Sequence, residues 1–140
     1  MFKYNGGVIQ LNMNLDPYIE FMREKMNILS SFPQLAKTIY DAVKDALKEH
    51  DVDGEVYFFG SIVEGKFTVA SDIDVAILVS RIPEKRKVII NRVFKILEDE
   101  GLPWWLQLEI HFFTPPMFNA FKKGGANSLR LKTTLALLYD

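Results

Sequence analysis

The residues of this chain best suited to chemistry fall in one stretch, Phe58-Phe59-Gly60-Ser61-Ile62-Val63-Glu64-Gly65-Lys66-Phe67-Thr68-Val69-Ala70-Ser71-Asp72-Ile73-Asp74-Val75. Asp72 and Asp74 are two positions apart, and on a β-strand residues i and i+2 project from the same face. Two carboxylates held that close repel each other unless solvent or a cation lies between them. Hard divalent ions such as Mg2+ take carboxylate oxygens together with substrate phosphates. An isolated D-x-D is more often a pair of surface acids at a strand start, so the neighbouring residues decide its meaning. Gly60-Ser61 directly follows an apolar run, and a helical turn beginning there presents free backbone N–H groups and a small hydroxyl. That combination suits a phosphate. Gly60 alone reads equally well as a strand-end turn. A phosphate cradle one loop away from a carboxylate pair is the layout that holds a metal–nucleotide complex.

Gly60-Ser61, ten residues and then Asp72-Ile73-Asp74 resembles the G-S-x10-D-x-D signature of the DNA polymerase β-like nucleotidyltransferase superfamily. Within it the chain most resembles the minimal nucleotidyltransferases, small stand-alone domains common in prokaryotes. The signature occupies residues 54–80, and the likeness in element order extends over residues 34–113. The resemblance implies Gly60 and Ser61 at the triphosphate of ATP, with Asp72 and Asp74 as ligands of catalytic Mg2+ in a two-ion site. A third carboxylate, usually Asp, stands on a later strand of the family; the matching position is Glu109, in Leu108-Glu109-Ile110-His111. The implied reaction is two-metal nucleotidyl transfer. By that resemblance Asp72 and Asp74 would bridge both ions, and Glu109 would complete the second ion's shell and help deprotonate the acceptor hydroxyl. In-line attack on the α-phosphate releases pyrophosphate.

Many minimal nucleotidyltransferases are antitoxins that act with a separate HEPN ribonuclease, some by adenylylating a tyrosine on it. HEPN proteins carry Arg, four to six residues and then His. None of Arg23, Arg81, Arg86, Arg92 and Arg130 is followed by His at that distance. The chain is therefore not a HEPN domain, and a HEPN toxin partner is expected as a separate protein. The alternative is a module of the same fold that binds a nucleotide or a partner without catalysis. A small-molecule nucleotidyltransferase would need further substrate-binding structure.

The elements that must position these residues are legible from periodicity. Asp16 can cap a helix with Pro17 in its first turn, and Ile19, Met22, Met26 and Leu29 follow at helical spacing. Ser30, Ser31 and Pro33 end it and start a second helix, whose stripe is Leu35, Ile39, Val43 and Leu47 with Ala42 and Ala46 beside it. This one stops near His50. A strand is expected at Glu55–Phe59, a loop at Ser61–Ser71, and a second strand at Asp72–Ser80. In that strand Ile73, Val75, Ile77 and Val79 share one face, and Asp72, Asp74, Ala76 and Leu78 the other. Pro83 opens a helix with the stripe Ile89, Val93, Ile96 and Leu97, ended by Gly101. The third strand, Leu106–Phe113, puts Leu106, Leu108, Ile110 and Phe112 on one face and Gln107, Glu109, His111 and Phe113 on the other. Pro115-Pro116 ends it, a short helix is expected around Met117–Lys122, and a final strand at Leu135–Tyr139. The fold class is α+β: a small mixed β-sheet flanked by helices, as in the polymerase β palm-like nucleotidyltransferase fold. Residues 1–140 form a single domain, with residues 1–33 as an N-terminal extension and helix.

Composition narrows the setting. The chain has 140 residues, 49% of them apolar and 13% aromatic, which excludes an intrinsically disordered chain. Without cysteine it is no disulfide-stapled module. A net charge of −1 argues against general nucleic-acid binding, which rests on many phosphate-neutralising cations. The longest apolar runs, such as Val75–Val79, are far below the ~20 residues of a membrane span. Met1–Leu15 does not read as a secretory signal, so a cytoplasmic protein, with no membrane association, is expected; an oligomer is compatible with everything above. The charge is uneven: residues 1–80 carry 7 basic and 12 acidic side chains, residues 81–140 carry 10 and 6. That asymmetry is trivial or sets a metal site beside an anion site.

Several weaker features have ordinary readings beside functional ones. His111 could orient the acceptor or Glu109, although a hydrogen-bonded structural histidine is the commoner role. His50 suits a helix C-terminus. Lys66 and Lys122-Lys123 could approach a triphosphate, and Arg81, Lys85, Arg86, Lys87, Arg92 and Lys95 form a basic helix face able to dock an acidic partner or an RNA. Solvated cations are the more frequent role of both. Trp104-Trp105 could present an aromatic to a base or partner, or pack into the core.

Overall fold

The computed structural model describes residues 16–66, 68–103 and 106–124. Helix α1 (Pro17–Ser30) starts at Asp16, whose side chain accepts a bond from the Tyr18 N–H at 3.0 Å. Only its last turns are covered: Ile28 and Leu29 are buried, whereas Tyr18, Ile19 and Phe21 stay exposed. The expected stripe beginning at Ile19 is thus buried at its C-terminal end alone, because α1 meets α2 there. Helix α2 (Phe32–Glu49) buries Leu35, Ile39, Val43 and Leu47 along with Ala36, Ala42 and Ala46. At its end the His50 ring contacts the Ala46 carbonyl at 2.8 Å.

Strands β1 (Gly54–Phe59), β2 (Ile73–Val79) and β3 (Leu108–Phe113) form one sheet in the order β1-β2-β3. β1 runs antiparallel to β2, and β3 runs parallel to it. A parallel neighbour needs a crossover, which α4 (Arg86–Asp99) supplies. Helices α2 and α4 cover the sheet face that carries Val56, Phe58, Ile73, Val75, Ile77 and Val79, and this interface is the main core. Each such aliphatic side chain contributes about 1.5–3 kcal/mol on leaving water. Glu49 and Arg92 tie the two helices at the surface with a two-pronged ion pair of 2.7 and 3.0 Å.

The opposite face is aromatic. Tyr57 and Phe59 of β1, Ala76 and Leu78 of β2 and Phe113 of β3 meet Phe118 from α5 (Pro115–Gly124). The Tyr57 and Phe118 rings stack at 5.6 Å, and the Tyr57 hydroxyl donates to Glu55. Burial first, and then that acidic partner, push the phenol up to about 12.

β1 starts one residue earlier than expected and β2 is shorter by one residue at each end, and larger differences fall elsewhere. α4 begins at Arg86 rather than Pro83, since the residues between them form a turn. α5 begins at Pro115, because proline is at home in a helical first turn. A one-turn helix, α3 (Ser61–Glu64), occupies the start of the expected loop. β3 begins at Leu108 rather than Leu106; Leu106 is nevertheless buried, and Gln107 accepts a bond from the Ile73 N–H at 2.9 Å. The expected strand at Leu135–Tyr139, residues 1–14 and Trp104-Trp105 lie outside the described residues. Among the described residues no helix is long and apolar enough to cross a membrane.

Candidate active site

The site is built where β1 turns into α3. Gly60 has φ +86° and ψ −163°, a region essentially reserved for glycine. A second constraint falls on the same residue: a Cβ there would lie 2.5 Å from Oδ2 of Asp74. The backbone of Gly60 therefore presses directly against the Asp74 carboxylate. From this turn the Gly60 carbonyl accepts bonds from the N–H groups of Val63 (3.2 Å) and Glu64 (3.3 Å). Gly65, at φ +73°, ends the turn in the left-handed region. The Ser61 hydroxyl donates to that of Ser71 at 3.2 Å, and the latter also accepts from the Thr68 N–H at 2.8 Å. This bond ties the start of α3 to the turn at Thr68–Ser71, so the chain enters β2 beside Gly60 and Ser61.

Strand register does the rest. Asp74 stands beside Phe59 of β1 on one side and beside Glu109 of β3 on the other. Two positions along β3, His111 stands beside Ala76. Asp74, Glu109 and His111 each offer a ligand atom, and these atoms lie within 4.8 Å of one another. His111 Nε2 is 3.6 Å from Glu109 Oε2, and its ring packs 5.9 Å from Phe59 and 6.2 Å from Phe113. Phe121 of α5 supports both of those aromatics, at 5.2 and 5.1 Å.

Electrostatics mark Asp74 as the strained member. Burial pushes its carboxyl up to about 6, and the hydrogen bond to Glu109 and the charge of Glu109 add to the rise; Asp72 contributes in the same sense, while His111 opposes it. Below about pH 6 the Asp74 carboxyl keeps its proton, in a space framed by oxygen and imidazole donors. A divalent cation could take the place of that proton, and this donor set fits one.

The expected residues divide into two groups. Gly60, Ser61, Asp74 and Glu109 come together at one end of the sheet. Asp72 precedes β2, half-buried; its charge reaches Asp74, but its oxygens stay outside the 4.8 Å group. His111 stands in the group, a place the sequence reading did not favour for it. Its one signal was the two-residue spacing from Glu109. Among the cations, Lys66 is exposed, Lys122 lies 5.0 Å over the Phe118 ring, Arg92 pairs with Glu49, and Lys95 pairs with Asp99 at 3.2 Å.

A profile of the nucleotidyltransferase domain matches residues 40–123, a span from α2 to α5 that includes Gly60, Ser61, Asp72, Asp74 and Glu109. The chain belongs to that family. Among solved structures it is similar to a Sulfolobus solfataricus protein provisionally assigned as a nucleotidyltransferase, at 19% identity and a TM-score of 0.39, over 72% of this chain and 79% of that one. No curated protein matches the chain at a significant level.

Proposed function

We propose that this nucleotidyltransferase moves AMP from ATP to a hydroxyl acceptor, with Mg2+ as its cofactor. The observation that carries the reading is the convergence of Gly60, Asp74 and Glu109 from three elements of the sheet. The Gly60 backbone and the Ser61 hydroxyl are the groups that would receive the triphosphate. Asp74 and Glu109 would hold the metal, with Asp72 completing the acidic set from the segment before β2. Bound Mg2+ supplies neutralisation of the phosphate charge and a more acidic acceptor hydroxyl. The acceptor oxygen would form a bond to the α-phosphorus as the bond to pyrophosphate breaks, and Glu109 would receive the hydroxyl proton. The chain itself contributes position and charge.

The acceptor we favour is a tyrosine hydroxyl of a separate HEPN-type toxin, which makes the chain an antitoxin of the cytoplasm. Support for this comes from the G-S-x10-D-x-D spacing and its likeness to minimal nucleotidyltransferases. A second reading, a module that binds nucleotide or partner without transfer, is favoured by one observation: Asp72 stands outside the Asp74–Glu109–His111 group.

Incubation with ATP labelled at the α-phosphate, Mg2+ and a HEPN-type protein separates the readings. Label should pass to the acceptor, and Asp74→Asn should slow transfer by about 100-fold or more. Transfer that persists unchanged in a combined Asp72→Ala and Asp74→Ala variant overturns the catalytic assignment. Nucleotide binding without transfer selects the second reading.

A further inference from the structure

We infer that His111 is itself a metal ligand and that it makes the site hold the transition ion Mn2+ more tightly than Mg2+. The inference rests on reading the site as a metal-dependent nucleotidyltransferase centre, and it concerns which ion that centre holds. Register provides the first argument. Glu109 and His111 lie two apart on β3, with Asp74 beside Glu109, so three ligand atoms from two strands converge within 4.8 Å. Space provides the second. The position beside His111 is Ala76, which presents only a methyl group, and the ring is held between Phe59 and Phe113.

The third argument is that, among the described residues, no closer partner claims the imidazole. Its approach to Glu109 is 3.6 Å, beyond the ~2.7–3.2 Å of a hydrogen bond. Among the described residues no closer polar contact to its ring is found, and the side chain is exposed, so the imidazole is open to an ion. Chemistry then chooses the ion. Mg2+ takes oxygen ligands and keeps much of its water. Carboxylates suit Mn2+ and Mg2+ alike, whereas an imidazole adds more to the binding of a first-row transition ion than to that of Mg2+. Of these two the set should therefore hold Mn2+ the more tightly.

The test reads binding, not turnover. Mn2+ binding to the nucleotide-free protein is followed by the electron paramagnetic resonance signal of the free ion, and Mg2+ by competition against it. Mn2+ should bind about tenfold or more tightly than Mg2+, and His111→Ala should remove most of that preference while leaving Mg2+ affinity within about twofold. The chain has two histidines, His50 and His111, so proton spectra supply an internal control. The His111 ring signals should broaden at lower Mn2+ than those of His50, which lies beyond the opposite end of β1. Equal loss of both ions in His111→Ala, an absent preference in the wild type, or earlier broadening of His50 overturns the inference. The two readings fail separately. His111-dependent Mn2+ binding with label transfer indifferent to Asp74→Asn overturns only the transfer reading, and transfer with ion preference indifferent to His111 overturns only this one.

Discussion

At the scale of single residues, Gly60 bears two demands at once: a backbone geometry closed to other residues and a contact with the Asp74 carboxylate. Gly60→Ala should lower stability by about 1–3 kcal/mol from backbone strain alone, and the new methyl must also displace Asp74. Gly65→Ala should be milder, near ~1–2 kcal/mol, because nothing lies within 4 Å of a Cβ there. Urea unfolding of the two variants measures the contrast. Asp74 gives a prediction in pH. Its carboxyl titrates at about 6 in the fold against an ordinary 3.8, so the fold favours the protonated form. That contribution is full below pH ~4 and is lost as pH rises through ~6. Without metal, Asp74→Asn should therefore abolish this decline in melting temperature between those values. Metal binding near pH 5 should release a proton, detectable by calorimetry in buffers of different ionisation heat. Glu109 was legible from the family resemblance, and the alternation of β3 independently set it on the polar face of that strand. The grouping of His111 with Asp74 was not, since it depends on the parallel register of β2 and β3.

Between elements, the informative interface is α5 on the aromatic face. Phe118 stacks on Tyr57 and meets Phe113 at 5.7 Å, while Phe121 supports Phe59 and Phe113. Phe118→Ala should cost about 3–5 kcal/mol. It should also shift the ring signals of His111, which leans on Phe59 and Phe113, and denaturant titration with proton spectra tests both effects. Periodicity revealed α2 and the two-faced pattern of β2 because those elements bury one whole stripe or face. It missed the start of α5, where Pro115-Pro116 serves both as strand stop and as helix opening. It also overstated α1, whose apolar spacing continues past the point where another element covers it. In the segment 83–85, Pro83 suits a turn as well as a first helical position, and tertiary context decides between them.

Across the whole molecule, the basic residues at the start of α4 stand away from the candidate metal site. Arg81, Lys85, Arg86 and Lys87 cluster around the start of α4, just past the end of β2, whereas Asp74 lies at that strand's beginning. A strand of this length spans ~20 Å, so these cations are remote from the carboxylates. Farther along α4, Arg92 and Lys95 are engaged by Glu49 and Asp99. The general plan, a small mixed sheet with helices, was readable from the order of periods, while the placement of charge needed the topology. The parallel register of Asp74 and Glu109 has one more consequence. These residues belong to strands joined only through the α4 crossover, so an ion gripping both would fasten a long loop at its two ends, and it would bind the folded chain far better than the open one. By mass action the amount of metal around the protein would then set how long β3 stays docked, and the exchange of its amide hydrogens would slow as the metal concentration rises.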